Sequence, residues 1–112
     1  MFLKVTDQVL AEMVQAIVRE VDPERIILFG SRARGEAGPD SDLDLMIVER
    51  EGFGEKRRRW EELGRIRSAL SGFFIPKDIL VFSQDEIAKW QNSINHIIAT
   101  NLREGKVLYE RS

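Results

Sequence analysis

The sequence predicts an α/β fold in which a small mixed β-sheet is flanked by helices. Three short apolar runs rich in β-branched residues and phenylalanine, at 25–29, 43–49 and 79–82, alternate with longer stretches whose apolar residues recur at helical spacing. Glycine and proline mark the joints between them, and strands alternating with helices are the pattern of helices laid over a sheet. At 112 residues and 43% hydrophobic, the chain is expected to form one domain, 1–112, around a single core. The pattern leaves strand order open.

The elements follow in chain order. Thr6 or Asp7 can cap a helix in which Val9, Leu10, Met13, Val14, Ile17, Val18 and Val21 recur at helical spacing, with Asp22-Pro23 as its stop. Arg25-Ile26-Ile27-Leu28-Phe29 then reads as a buried strand ended by Gly30, and Leu43–Glu49 as a second strand. A helix is predicted over 55–70, with Trp60, Leu63, Ile66 and Leu70 on one stripe and Gly72 past its end. The apolar run 79–82 follows Pro76-Lys77-Asp78 as a third strand. Ser83-Gln84-Asp85-Glu86 is a capping box opening a further helical stretch with Ile87, Trp90, Ile94, Ile97, Ile98 and Leu102, which Asn92-Ser93 can break in two. Gly105 is a stop signal, and 106–109 can add a last short strand.

The chemistry concentrates where the first two strands face each other along the chain. Gly30-Ser31 permits a sharp turn and a close approach of backbone to ligand, and the Ser31 hydroxyl with neighbouring N–H groups can donate to phosphate oxygens. Arg32 and Arg34 add positive charge. Strand side chains alternate, so Asp42 and Asp44 point to the same side, with Met46 and Val48 continuing that side. Two converging carboxylates repel each other unless a cation lies between them, and a hard divalent ion with oxygen ligands answers that need. Magnesium suits the pair best, because it takes one or two carboxylates plus substrate phosphates and keeps several waters. A zinc site has no material here: the chain has no cysteine and a single histidine, His96, far from the motif.

Gly30-Ser31, ten intervening residues and then Asp42-x-Asp44 resembles the signature of the DNA polymerase β-type nucleotidyltransferase superfamily. By its size the chain resembles the minimal nucleotidyltransferases that serve as antitoxins beside HEPN-domain toxins, and the likeness runs through nearly the whole length to Arg103-Glu104-Gly105-Lys106-Val107-Leu108-Tyr109. The resemblance implies a third carboxylate on a later strand, for which Asp78 is the candidate; the plainer reading of Asp78 is a strand-end or turn residue beside Pro76-Lys77. Asp40 and Asp85 fit less well, as a turn residue and a first-turn helix acid.

What the resemblance implies is specific. Gly30 and Ser31, helped by Arg32 or Arg34, would hold the β- and γ-phosphates of ATP. Asp42, Asp44 and Asp78 would bind two Mg2+ ions, and Asp78 would help to activate an acceptor hydroxyl. The acceptor would be a tyrosine of a HEPN RNase toxin, silenced by AMP transfer in a hetero-oligomer. The larger relatives carry further domains that hold their acceptors, and this chain is expected to lack them. Two rivals remain: an antitoxin that neutralises its partner by occlusion without turnover, and a small-molecule nucleotidyltransferase completed by dimerisation.

Composition limits the remaining classes. A net charge of −2 exerts no global pull on nucleic acid, which argues against a templated polymerase or an RNA-tailing role. No apolar stretch nears the ~20 residues of a membrane span and the start lacks signal-peptide form, so a cytoplasmic location without membrane contact is expected. Arg57-Arg58-Arg59, Arg65 and Arg67 are interleaved with Glu55, Glu61 and Glu62 and read as a solvated helix face rather than a phosphate or partner contact. His96 reads as structural or surface rather than as a proton carrier. Trp60 and Trp90 sit on apolar stripes, with core packing as the default and an interface anchor as the alternative.

Overall fold

A computed structural model describes residues 4–38 and 41–112; the turn reading of Asp40 therefore lies outside the described residues. Helix α1 (Asp7–Val21) is followed by β1 (Arg25–Phe29), the one-turn α2 (Gly30–Ala33), β2 (Leu43–Glu49), α3 (Arg59–Ala69), β3 (Lys77–Ser83), α4 (Gln84–Trp90), α5 (Ile97–Glu104) and β4 (Lys106–Glu110). The strands form one sheet in the order β3-β2-β1-β4. β1 runs antiparallel to both neighbours, whereas β2 and β3 are parallel, so the predicted mixed sheet is present. A parallel pair needs a long crossover, and α3 supplies it.

Local signals set most boundaries. Thr6, not Asp7, caps α1: its Oγ1 accepts from the Val9 N–H at 3.1 Å. Asp22 closes the helix in the left-handed region, with φ 46°, before Pro23 ends it. Ser83 and Glu86 complete the capping box reciprocally, at 3.2 and 2.9 Å. Residues 91–96 do break the last helical stretch. His96 caps α5 through Nδ1, which accepts from the Ile98 N–H at 3.1 Å, and its ring stacks on Trp90 with centroids 4.5 Å apart. Gly105 ends α5 because nothing larger fits: a Cβ there would lie 2.3 Å from the Asn101 carbonyl and 2.5 Å from Ile27.

The sheet separates two apolar layers. On one face α1 and α3 bury Met13, Ile17, Ile66 and Leu70 against Ile26, Leu45 and Val81. On the other, α4 and α5 bury Ile87 and Ile98 against Ile27, Met46 and Val48. β2 is covered on both faces, which is why its apolar run is nearly continuous instead of alternating. None of the helices among the described residues is long and apolar enough to cross a membrane.

Three expectations fail around α3 and α5. The helix predicted from residue 55 begins at Arg59, because Arg58 is extended and Gly54 and Arg57 close a turn before it (N–H to carbonyl, 2.8 Å). Trp60 is 66% exposed and not in the core; the buried residue of that first turn is Glu62, two positions and about 200° further round the helix. Ile94, 78% exposed, leaves the apolar stripe because the 91–96 break resets the helical phase.

The arginine run is not simply a solvated face. Arg59 donates to Glu86 at 2.9 and 2.5 Å and to the Val81 carbonyl at 2.6 Å, tying α3 to β3 and α4. Arg57 donates to Glu49, to Glu62 at 2.7 Å and to the Glu51 carbonyl at 2.8 Å, and Arg65 joins Glu62 to Glu20. The ring of Phe53 lies beneath both the Arg57 and Arg59 guanidinium groups, at 4.6 and 4.8 Å.

Glu49 is buried in this network, and its Oε2 has no hydrogen-bond partner among the described residues. Burial first, and then the adjoining Glu62 carboxylate, push Glu49 from its ordinary 4.5 to about 7 against the pull of Arg57. A proton on this carboxyl relieves its repulsion by the Glu62 carboxylate. The raised value means that its stabilising contribution is complete below pH 4.5 and is lost as pH rises through about 7. Denaturant unfolding measured across that window should show the parent losing stability relative to Glu49→Gln, which has no proton to release; parallel profiles would refute the assignment.

Candidate active site

Strand direction brings the predicted residues to one end of the sheet. β1 ends where β2 and β3 begin, so Phe29 pairs with Asp44 and Asp44 pairs with Asp78 across three adjacent strands. Register partners of a parallel pair share a face. Asp44 and Asp78 accordingly emerge on the α4/α5 side, above Met46, Leu80 and Phe82.

Gly30 directly follows Phe29 and turns β1 into α2 with φ +73°, a conformation that glycine adopts without strain. The close approach is equally restrictive: a Cβ at Gly30 would lie 2.2 Å from Asp44 Oδ2. The Asp44 carboxylate thus rests against bare backbone. Ser31 occupies the next position in α2, half-buried.

Asp42 is exposed just ahead of β2. The segment entering that strand is held by Arg32, whose Nη2 donates to the Ser41 carbonyl at 2.7 Å, while the Ser41 hydroxyl accepts from the Gly38 N–H at 2.9 Å. Arg32 Nε is buried with no partner among the described residues. Arg34 is exposed and paired with Glu36 at 3.2 Å. Arg32 thereby has a structural duty beyond its charge.

Electrostatics couples the acids. Burial, then the charges of Asp78 and Asp42, raise the pKa of Asp44, while Arg32 and Arg34 pull it down. The neighbouring carboxylates therefore oppose the ionisation of Asp44 with only partial relief from the arginines. Among the described residues no three acidic or imidazole groups converge as a closed cation cage. An ion held here would complete its shell with water and substrate oxygens, as Mg2+ does. The donor set, all oxygen, and the bare backbone at Gly30 fit a magnesium–nucleotide complex.

Lys77 was not singled out in the sequence, yet it shapes the entry to β3. Its Nζ donates to the Phe73 and Ile75 carbonyls, each at 2.9 Å, and burial lowers its pKa. Only its place beside Pro76 and Asp78 hinted at this. Arg57, Arg59, Arg65 and His96 serve the scaffold ties and caps described above.

Comparison with known proteins gives a consistent fold. Residues 10–107 match the family model of the nucleotidyltransferase domain. A protein from Sulfolobus solfataricus described as a nucleotidyltransferase is similar in structure, with a TM-score of 0.57 at 21% identity over 93% of this chain and 79% of that one. A toxin-antitoxin structure with AMP-PNP aligns with a TM-score of 0.53 at 21% identity, over 89% and 73% of the two chains. A mutant of the toxin-antitoxin pair MntA-HpeT aligns at 0.52 and 16%, over 96% and 75%. At these identities the likenesses speak for the fold. A search of curated proteins finds no match.

Two substitutions test the geometry. Asp78→Asn should lower the Asp44 pKa in a carboxyl NMR titration and raise thermal stability at neutral pH without divalent ions, since one repelling charge is gone; an unmoved Asp44 titration would contradict the pairing. Gly30→Ala should destabilise by about 1–3 kcal/mol from left-handed backbone strain, with a displaced Asp44 resonance in the same spectra.

Proposed function

Since the chain belongs to the nucleotidyltransferase domain family, we propose that it is an antitoxin that transfers AMP from Mg-ATP to a tyrosine hydroxyl of a partner HEPN RNase and so silences it. The observation that carries this reading is the register of Asp44 beside Asp78, with the Asp44 carboxylate pressed against Gly30 and raised in pKa by burial and then by its acidic neighbours. Such a set of acids is electrostatically costly without a cation, and a chain keeps such an arrangement where chemistry needs it. The likeness to a toxin-antitoxin structure holding AMP-PNP agrees in fold. The HEPN partner and the hetero-oligomer come from the sequence resemblance, and the cytoplasmic setting from the absence of a spanning stretch and of signal-peptide form in the sequence.

In this reading residues 1–112 act as one catalytic domain. The bare backbone at Gly30 admits the β- and γ-phosphates, and the Ser31 hydroxyl donates to their oxygens. Arg32 and Arg34 contribute positive charge to the same end. Asp42 and Asp44 would hold the ion that accompanies the triphosphate, and Asp44 with Asp78 a second. When bound, the two Mg2+ ions neutralise charge on the entering and leaving oxygens of an in-line displacement. The tyrosine oxygen forms a bond to the α-phosphorus, the bond from that phosphorus to the β-phosphate oxygen breaks, and pyrophosphate leaves. The hydroxyl proton passes to Asp78 or to water.

Intact mass spectrometry of the protein encoded beside this chain, incubated with it, ATP and magnesium, tests the proposal. One or more AMP masses should appear on the partner. Asp42→Asn should abolish the gain with thermal unfolding little changed, because an exposed carboxylate contributes nothing to the core. A stable complex without mass gain would favour occlusion, and normal transfer by the variant would dismiss the metal assignment.

A further inference from the structure

Phe74 stands four residues before Asp78 and is 65% exposed, although the chain around it is tightly held. The Ile75 N–H donates to the Phe73 carbonyl at 2.9 Å, which closes a three-residue turn with Phe74 at its apex. Lys77 Nζ grips the carbonyls on either side of that apex. The Leu43 N–H donates to the Pro76 carbonyl at 2.9 Å and fastens the segment to the head of β2, next to Asp42. Phe73 and Ile75 pack against the layer under α1 and α3. A turn pinned this firmly presents one aromatic ring to solvent.

The position of this turn in the sheet gives the ring an occupant. In the order β3-β2-β1, the Gly30-Ser31 turn lies at the end of β1, Asp42 and Asp44 at the head of β2, and Asp78 at the head of the edge strand β3. Neighbouring strands are about 4.8 Å apart, so these groups are spread in sequence across roughly two strand spacings. An in-line displacement has its entering and leaving oxygens on opposite sides of phosphorus. With pyrophosphate leaving toward Gly30-Ser31 on β1, the acceptor hydroxyl enters from the β3 side, where Phe74 stands beyond Asp78. Trp60, also exposed, is on the first turn of α3, which follows the opposite end of β2, and does not share this placement.

We infer that Phe74 is the acceptor platform, the ring on which a tyrosine side chain of the partner protein stacks while its hydroxyl is offered to the Asp78 side of the site. The inference rests on the nucleotidyl-transfer reading and names what selects the acceptor within it. Aromatic rings attract one another in offset-stacked or edge-to-face contact, with centroids about 4.5–7 Å apart. A phenyl platform thus favours a phenol over the aliphatic hydroxyl of serine.

The test uses N-acetyl-L-tyrosinamide and N-acetyl-L-serinamide as probes of the full chain, with Mg2+ and a non-hydrolysable ATP analogue present. In amide NMR spectra the tyrosine probe should shift the resonances of residues 73–75, 77 and 78. Phe74→Ala should weaken that binding about 2- to 10-fold, the range of an aromatic pair, and Phe74→Trp should restore it. Affinity for the nucleotide analogue, measured by calorimetry, should be the same in all three proteins. No shifts at 73–78, equal binding by Phe74→Ala, or equal response to the serine probe would each overturn the platform. Transfer of AMP by a Phe74→Ala chain with an unchanged KM for the partner would overturn it while leaving the transfer reading intact. Phenol binding that depends on Phe74 in a parent chain unable to transfer AMP would support the platform and refute the transfer reading.

Discussion

The contact between Gly30 and Asp44 is the constraint around which this structure is arranged. It exists only because β1 and β2 are antiparallel and in the register that sets Phe29 opposite Asp44. A shift by one residue would turn Asp44 to the other face of the sheet and bring Leu43 or Leu45 to the glycine. The packing of β2 on both faces guards against that shift, since Leu43, Leu45 and Ile47 fill one layer and Met46 and Val48 the other, and a slip would drive the Asp44 carboxylate into the first. The precision of the acidic site is thus inherited from the packing of the strand that carries it.

β2 also shows one residue type handled in two ways. At its head, Asp44 feels the charges of Asp78 and Asp42 with only partial compensation from Arg32 and Arg34. At its tail, Glu49 is enclosed with Glu62 and neutralised by Arg57 and by its own raised pKa. A buried ion pair is weak evidence of stabilisation, because desolvation offsets much of the attraction. The tail network instead fixes where α3 begins and how the 50–58 segment lies on the sheet. The head stays open; the tail is closed.

Much of this was legible in the sequence where the cause is local. Thr6 and Ser83 with Glu86 carry their capping roles within four residues of themselves, and β1 and β2 announce their bounds by composition. Strand periodicity put Asp42 and Asp44 on one side, but β2 begins at Leu43, so that periodicity reaches only Asp44. That Asp78 lies in a strand opposite Asp44 was not legible, because its place depends on the register of β3 with β2. The start of α3 and the exposure of Trp60 were missed since both depend on Arg57 reaching Glu49 and Glu62, and helical spacing ranks tryptophan above glutamate for burial. Strand order was silent for the same reason: it is written in pairings between distant segments. Phe74 carried no signal, because an exposed ring differs from a core ring only in what surrounds it.

The pairing of β4 with β1 carries a consequence for how the chain comes to be folded in a cell. β1 is the central strand that leads into Gly30, yet one of its two neighbours, β4, is made last of all the elements. As the chain leaves the ribosome, β1 can zip to β2 early while its other side offers unpaired N–H and carbonyl groups until 106–110 emerge. Such an open edge is a template for any extended chain nearby. The exposed Lys106 and Glu110 at the ends of β4 give the finished edge charges that discourage further strand addition. The newborn chain has no such guard, so its vulnerability to aggregation should be concentrated in the interval of synthesis between β2 and β4.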